Sequence, residues 1–163
     1  MKLIACCDIA GGIAKEKQIP WLNTDFSKLD LKRFKELTTD QCVVMGRNTY
    51  NEIAGLREIG ETVLPNRECY VITTNKDNEC KGAITISSIE EIETDKEIFI
   101  IGGEQLYREY LRKCDTVYLT IVGEDYECDQ HFPGQWLVKY NMKQIDSGHP
   151  MLAFVEYTRV LNG

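Results

Sequence analysis

Four short apolar runs rich in β-branched residues punctuate the chain up to residue 101: Leu3 to Cys7, Cys42 to Met45, Tyr70 to Thr73 and Ile98 to Ile101. Each run is continuous rather than alternating, the pattern of strands covered on both faces of a sheet. Between them the period becomes helical. Over Leu29 to Leu37, Leu31, Phe34 and Leu37 share one face while Lys32 and Glu36 point outward. Over Glu104 to Arg112 the inward set is Leu106, Tyr107, Tyr110 and Leu111. Ser88, with Glu91 three residues on, has capping-box spacing and predicts a further helix start. Thr116 to Val122 and Met151 to Val160 alternate like half-buried strands, separated by loop signals at Pro133-Gly134 and at Ser147-Gly148 with Pro150. Strands alternating with helices require crossover connections and a largely parallel sheet, to which the last third adds antiparallel strands at the edge. With no repeat, low-complexity tract or long linker, the expected architecture is one α/β domain over 1–163. Its central sheet is mostly parallel, with an antiparallel C-terminal edge and flanking helices.

Composition narrows the function. The 163 residues are 43% hydrophobic and 28% charged, which suits a folded globular protein without metal or disulfide support. Seven cysteines at 6, 7, 42, 69, 80, 114 and 128 form no C-x-x-C pair, and two histidines are too few to complete a metal site. They are expected to be reduced thiols of a cytoplasmic protein, several of them acting as small buried hydrophobes, and no metal is expected. Asp8 interrupts the N-terminus before a signal-peptide core can form, and no apolar run approaches the roughly 18 residues of a membrane span. A formal charge of −7 argues against nucleic acid or an anionic membrane as partner. An anionic small molecule would have to be met by a few placed cations, and a monomer is expected.

Candidate chemistry begins at two strand ends. Met45-Gly46-Arg47-Asn48-Thr49 and Ile101-Gly102-Gly103-Glu104 each follow a buried strand and open a helix, where free N–H groups can receive phosphate. Two such turns suggest a nucleotide with several phosphates, although either alone is commonly only a strain-relieving glycine. Neither fits G-x-G-x-x-G or the P-loop pattern. Asp30 and Phe34, four apart, share a helix face that Leu31 flanks, which sets a carboxylate beside apolar groups. Such a carboxyl suits a protonatable heterocycle, whereas the plainer reading is a helix-capping aspartate.

These residues recur in an order that resembles one family. Pro20-Trp21, Asp30-x-x-x-Phe34-Lys35, Val44-Met45-Gly46-Arg47-x-Thr49, Leu64-Pro65-x-Arg67, Ile101-Gly102-Gly103, Tyr107, Tyr118-Leu119-Thr120 and His131-Phe132-Pro133 are similar to dihydrofolate reductase, in the family's order and near its spacing. The resemblance implies NADPH-dependent reduction of 7,8-dihydrofolate to 5,6,7,8-tetrahydrofolate, with hydride to C6 and a proton to N5. It makes Asp30 the acid that binds the pteridine's amino group and ring nitrogen, supported by Thr120 through its hydroxyl and an ordered water. Ile4, Ala5, Leu31, Phe34, Ile53 and Ile101 would line the slot for the substrate rings, with Leu64 further out. Arg67 would pair with the α-carboxylate of the glutamate tail. For NADPH, Gly46, Arg47, Asn48 and Thr49 would meet phosphates at one helix start and Gly102, Gly103, Gln105 and Leu106 at the other, the family carrying a cis peptide between the two glycines. Ala5, Cys6, Ile13, Ile19 and Ile101 would lie near nicotinamide, beneath a mobile loop running from Ala14 to Trp21. Tyr107 would stabilise charge as hydride leaves, and Trp21 completes the catalytic set with Asp30, Thr120 and Tyr107.

Two departures from the family pattern carry their own expectations. The segment between Trp21 and the helix is longer than the commonest bacterial form, so Asp25 competes with Asp30; Phe34 and Lys35 select Asp30, leaving Asp25 to cap or precede the helix. Asn48 and Gln105 stand where cations are common, which leaves Arg47, Thr73, Thr74 and Lys76 for the 2′-phosphate of NADPH. The alternatives are a reductase of the same fold acting on another heterocycle, and a non-catalytic ligand-binding module.

Overall fold

The computed structural model describes residues 1–55, 63–75 and 79–161. From the N-terminus come β1 (Lys2–Asp8), β2 (Gly12–Ala14), α1 (Asp25–Thr38), β3 (Cys42–Gly46) and α2 (Arg47–Gly55). Then follow β4 (Glu68–Ile72), β5 (Ile84–Ile86), β6 (Ile98–Gly102), α3 (Glu104–Tyr110) and β7 (Thr116–Val122). The chain closes with β8 (Gln130–His131), β9 (Tyr140–Ile145) and β10 (Leu152–Arg159). Eight strands form one sheet in the order β5-β4-β3-β6-β1-β7-β10-β9, and β2 pairs with β8 apart from it. All pairings from β5 across to β7 are parallel. β10 runs antiparallel to both β7 and β9.

The continuous apolar runs are strands with a core on each side. In β3, Val43 and Met45 face a cluster with Val71, Phe99 and Ile101, while Cys42 and Val44 face another with Leu3, Ala5 and Ile100. The first cluster includes Tyr50 and Ile53 of α2 and Phe34 and Leu37 of α1; the second includes Leu106, Tyr107 and Tyr110 of α3. Cys6 and Cys7, neighbours on β1, accordingly join different clusters. All seven cysteines are free thiols, five of them buried.

Two expectations change. The capping box at Ser88 is present, but it starts only a 3₁₀ turn over Ile89–Glu91. Ile92 is already extended there, so the costly first turn is never followed by propagation. Thr116 to Val122 is not an antiparallel addition: β7 lies parallel to β1 along its whole length, from Lys2↔Thr116 to Asp8↔Val122. Alternation reports that one face is more buried than the other, and says nothing of the neighbour's direction. The antiparallel edge is β10 and β9 alone.

The topology also opens the sheet. β1 pairs with β6 only at Lys2↔Phe99 and Leu3↔Ile100, so the two strands part beyond that point. β6 sends the chain to α3 on one face, whereas β1 and β3 lead to α1 and α2 on the other, and ligands in such sheets bind where this switch occurs.

Candidate active site

A cleft of about 1330 Å³ opens at the carboxyl ends of β1, β3, β4 and β6. Single small-molecule pockets span roughly 300–1,000 Å³, so two ligands can lie in it together. In its floor, Tyr107 is buried, and its hydroxyl sits 3.0 Å from the Ile4 carbonyl oxygen and 2.9 Å from that of Ile101. Its proton therefore bridges the parted strands, and burial pushes its pKa well up.

Asp30 comes from α1. Thr24 caps that helix, accepting from the Ser27 N–H at 3.3 Å and donating its hydroxyl to the Trp21 carbonyl at 2.6 Å. The helix thus begins five residues before Asp30, which lies in its second turn and is not a cap. Asp30, Leu31 and Phe34 all line the cleft. Behind Asp30, Cys6 of β1 and Thr120 of β7 are partners in register, and the thiol and the hydroxyl both favour its charged form. Burial raises the Asp30 pKa, while the Thr120 hydroxyl, the Cys6 thiol and the Arg33 charge pull it back only in part. The Cys6 thiol is itself held protonated, chiefly by burial and by the neighbouring Asp30 charge, with the Trp21 side chain acting the other way. Thr120 is almost fully buried beneath Asp30 and forms no part of the cleft wall. Asp25 is outside the cleft altogether: its side chain is 82% exposed and lies 3.5 Å from Nε2 of His149.

Along the outer wall, Leu64 is buried and Arg67 lines the cleft with its guanidinium 5.8 Å from the centre of the Phe34 ring. Ile53 of α2 faces the same space. At the other end, the turns of β3 into α2 and β6 into α3 meet: a methyl placed on Gly46 would lie 3.7 Å from the Gly102 carbonyl oxygen. The Gly102-Gly103 peptide is cis, and Gly102 has φ +134, with Thr49 Oγ1 3.0 Å from where a Cβ would stand. Asn48, Thr49, Thr73, Thr74, Gln105 and Leu106 border this end. Arg47 borders it too, and its Nη1 donates to Cys80 Sγ at 3.1 Å. Lys76 lies outside the described residues.

Ala5, Cys6, Ile13, Ile19, Trp21 and Ile101 line the middle. The segment from Ala14 to Trp21 turns at Lys15 and Gln18, whose backbones exchange hydrogen bonds of 2.8 and 2.9 Å. It is tied down where the Glu16 N–H meets Asp129 Oδ2 at 2.9 Å. Asp8 fastens the neighbouring loops: it accepts from Ala10, Gly12 and Tyr126 N–H groups at 2.9, 2.7 and 3.0 Å. Burial works against its ionisation, but these donors and the Cys128 thiol outweigh burial and hold its pKa below the ordinary value.

Cys6 and Glu52 are among the cleft residues whose side chains the sequence does not single out. Cys6 is expected to act through its backbone, whereas its thiol lies beside Asp30 and favours the charged carboxylate. Glu52 lines the cleft from α2, one turn beyond Thr49. The available signal was its helical spacing of three from Thr49.

Comparison with known proteins agrees with this geometry. The family model described as dihydrofolate reductase matches residues 1–158. The chain is 33% identical over 125 residues to a dihydrofolate reductase of Bacillus subtilis (strain 168), covering 74% of this chain and 68% of that one. It is 32% identical over 134 residues to one of Staphylococcus aureus (strain Mu50 / ATCC 700699), covering 82% and 77%. Among solved structures it resembles dihydrofolate reductase from Enterococcus faecalis complexed with NADP(H) and RAB-propyl. There the TM-score is 0.77 and the identity 31%, over 97% of this chain and 95% of that chain.

Proposed function

Because the chain belongs to the dihydrofolate reductase family, and so to the NADPH-dependent oxidoreductases, we propose that it reduces 7,8-dihydrofolate to 5,6,7,8-tetrahydrofolate, with hydride delivered to C6 and a proton to N5. The observation that carries this reading is the setting of Asp30. A carboxylate offers about four lone-pair sites. The Thr120 hydroxyl and the Cys6 thiol favour the charged form, and the carboxylate borders the cleft, where the amino group and ring N–H of a pteridine would present two parallel donors. Asp30 orients the ring and raises the basicity of N5, and water admitted by the Ala14–Trp21 loop brings the proton. Ile4, Ala5, Leu31, Phe34, Ile53, Ile101 and, further out, Leu64 exclude water from the rings, and Arg67 forks onto the α-carboxylate of the tail.

The residues present fit NADPH. The first turn of α2 and the Gly102-Gly103 turn converge within van der Waals reach, leaving no Cβ between backbone N–H groups and a phosphate. Bound there, NADPH supplies the hydride. Gly46, Asn48, Thr49, Gln105 and Leu106 hold its phosphates, while Arg47, Thr73 and Thr74 meet the 2′-phosphate. Ile13 and Ile19 keep the ring edge dry, Trp21 closes the loop, and the fixed Tyr107 oxygen stabilises positive charge beside it.

A cytoplasmic monomer is the form proposed; free thiols support a reducing compartment, and among the described residues no helix is long and apolar enough to cross a membrane. Following NADPH absorbance with dihydrofolate tests the activity, and repeating it with NADH tests the 2′-phosphate contacts. Turnover with NADPH and a much higher KM for NADH are expected. No turnover, or a preference for NADH, would overturn the reading.

A further inference from the structure

Four carboxyls border the cleft: Asp30, Glu52, Glu104 and Glu109. On α3, Glu104 is paired with Arg108 at 3.1 Å and Glu109 is exposed. Glu52 is half-buried on α2, in the wall that begins with Thr49 and continues with Ile53. Spacings of three and four from Thr49 put Glu52 and Ile53 on the same helix face. Tyr50 turns the other way into the core, where its hydroxyl donates to the Lys81 carbonyl at 2.7 Å. Among the described residues, no hydrogen bond or ion pair reaches the Glu52 carboxylate. Tyr107 lies within electrostatic reach of both Asp30 and Glu52, but its proton is committed to the Ile4 and Ile101 carbonyls. The cations of the cleft are Lys28, Lys32 and Lys35 on α1, Arg47 on α2, Arg67 and Arg108, and none of them offsets the effect of burial on Glu52, which moves its pKa up to about 6. At neutral pH it is therefore mostly an unpartnered anion.

A ligand filling the cleft removes the water that Glu52 still has. If the ligand presents carbon or an acceptor there, a carboxylate is left desolvated without a donor, which is costly. If it presents an N–H or an ammonium group, the same burial strengthens a charge-assisted hydrogen bond. We propose that Glu52 makes the middle of the cleft a subsite for a hydrogen-bond-donating or cationic nitrogen, so that among ligands anchored at Asp30 the protein selects those carrying such a group at that depth. The inference rests on the Asp30 anchoring proposed above.

The test uses two 2,4-diaminopyrimidines that differ only in a neutral alkyl or an aminoalkyl substituent of equal length. Their Kd values are measured at pH 8 with NADPH present, on the unaltered protein, Glu52→Gln and Glu52→Ser. The unaltered protein should favour the amine by about tenfold or more, the gain of one charge-assisted bond. Both variants should bring the two Kd values together and bind the neutral ligand more tightly than the unaltered protein does. A merely structural role would not tighten that binding. Equal Kd values in the unaltered protein, or an undiminished preference in Glu52→Gln, would overturn the subsite while leaving Asp30 anchoring intact. If neither ligand binds the unaltered protein, the Asp30 reading fails and the subsite with it.

Discussion

Asp30→Asn keeps the side chain's shape and removes its charge, and it should move activity and stability in opposite directions. In the free protein, burial raises the Asp30 pKa more than Thr120, Cys6 and Arg33 lower it. The folded state then binds that proton more tightly than the unfolded chain, whose aspartates titrate near about 3.9. Stability is lost as pH rises from the unfolded pKa through the folded one, and above both the loss is constant. Asn carries no such cost. The variant's Tm should therefore exceed that of the unaltered protein at pH 7 to 8, with the gain shrinking as pH falls toward the ordinary aspartate range.

Activity should fall for a related reason. In the proposed complex the carboxylate accepts from two ligand donors, and Asn would turn an N–H toward one of them. Losing one charge-assisted bond is worth about 1.5–3 kcal/mol, and each 1.4 kcal/mol is tenfold, so kcat/KM for dihydrofolate should drop roughly ten- to a hundredfold. Thermal unfolding across pH and steady-state kinetics measure the two effects on one preparation. Unchanged kcat/KM at neutral pH would refute the anchoring role, and a lower Tm at pH 8 would refute the desolvation account.

Arg67→Lys replaces a planar fork by a point charge, so KM for dihydrofolate should rise about tenfold while that for a dihydropterin lacking the glutamate tail stays put; equal effects on both would remove Arg67 from tail binding. Gly12→Ala would set a methyl 2.4 Å from Cys128 Cβ, an overpacking worth about 1–3 kcal/mol in urea unfolding, and Cys128→Gly in the same chain should recover part of it. Asp8→Asn should cost about 1–3 kcal/mol at pH 7. Since the Asp8 pKa is held low, the stability it contributes is present above the unfolded value and lost as pH falls through the folded one. The gap between Asp8→Asn and the unaltered protein should therefore close in acid, and a gap independent of pH would show that the Asp8 charge is not what the loop N–H groups recognise.

What could be read from the sequence was what local patterns encode. The central strands announce themselves because both faces are buried, and the helix at Asp25–Thr38 because Leu31, Phe34 and Leu37 recur at its period. Partnership is not local. Nothing in Thr116 to Val122 says that it lies parallel to β1, yet that register is what places Thr120 beside Cys6 and both behind Asp30. Residue chemistry alone left Asp30 a helix cap; the resemblance supplied Thr120, and neither supplied the Cys6 thiol. Glu52 shows the same limit from the other side. A charged residue on an amphipathic helix reads as solvent-facing, because periodicity separates core from non-core without dividing the non-core face into water and cleft. Asp30 escaped that reading through apolar neighbours on its own face, Leu31 and Phe34. Glu52 has Ile53 beside it and Thr49 a turn before, three residues after a strand-end glycine, and a carboxyl so placed in the helix that leaves such a turn borders the cleft and not open water.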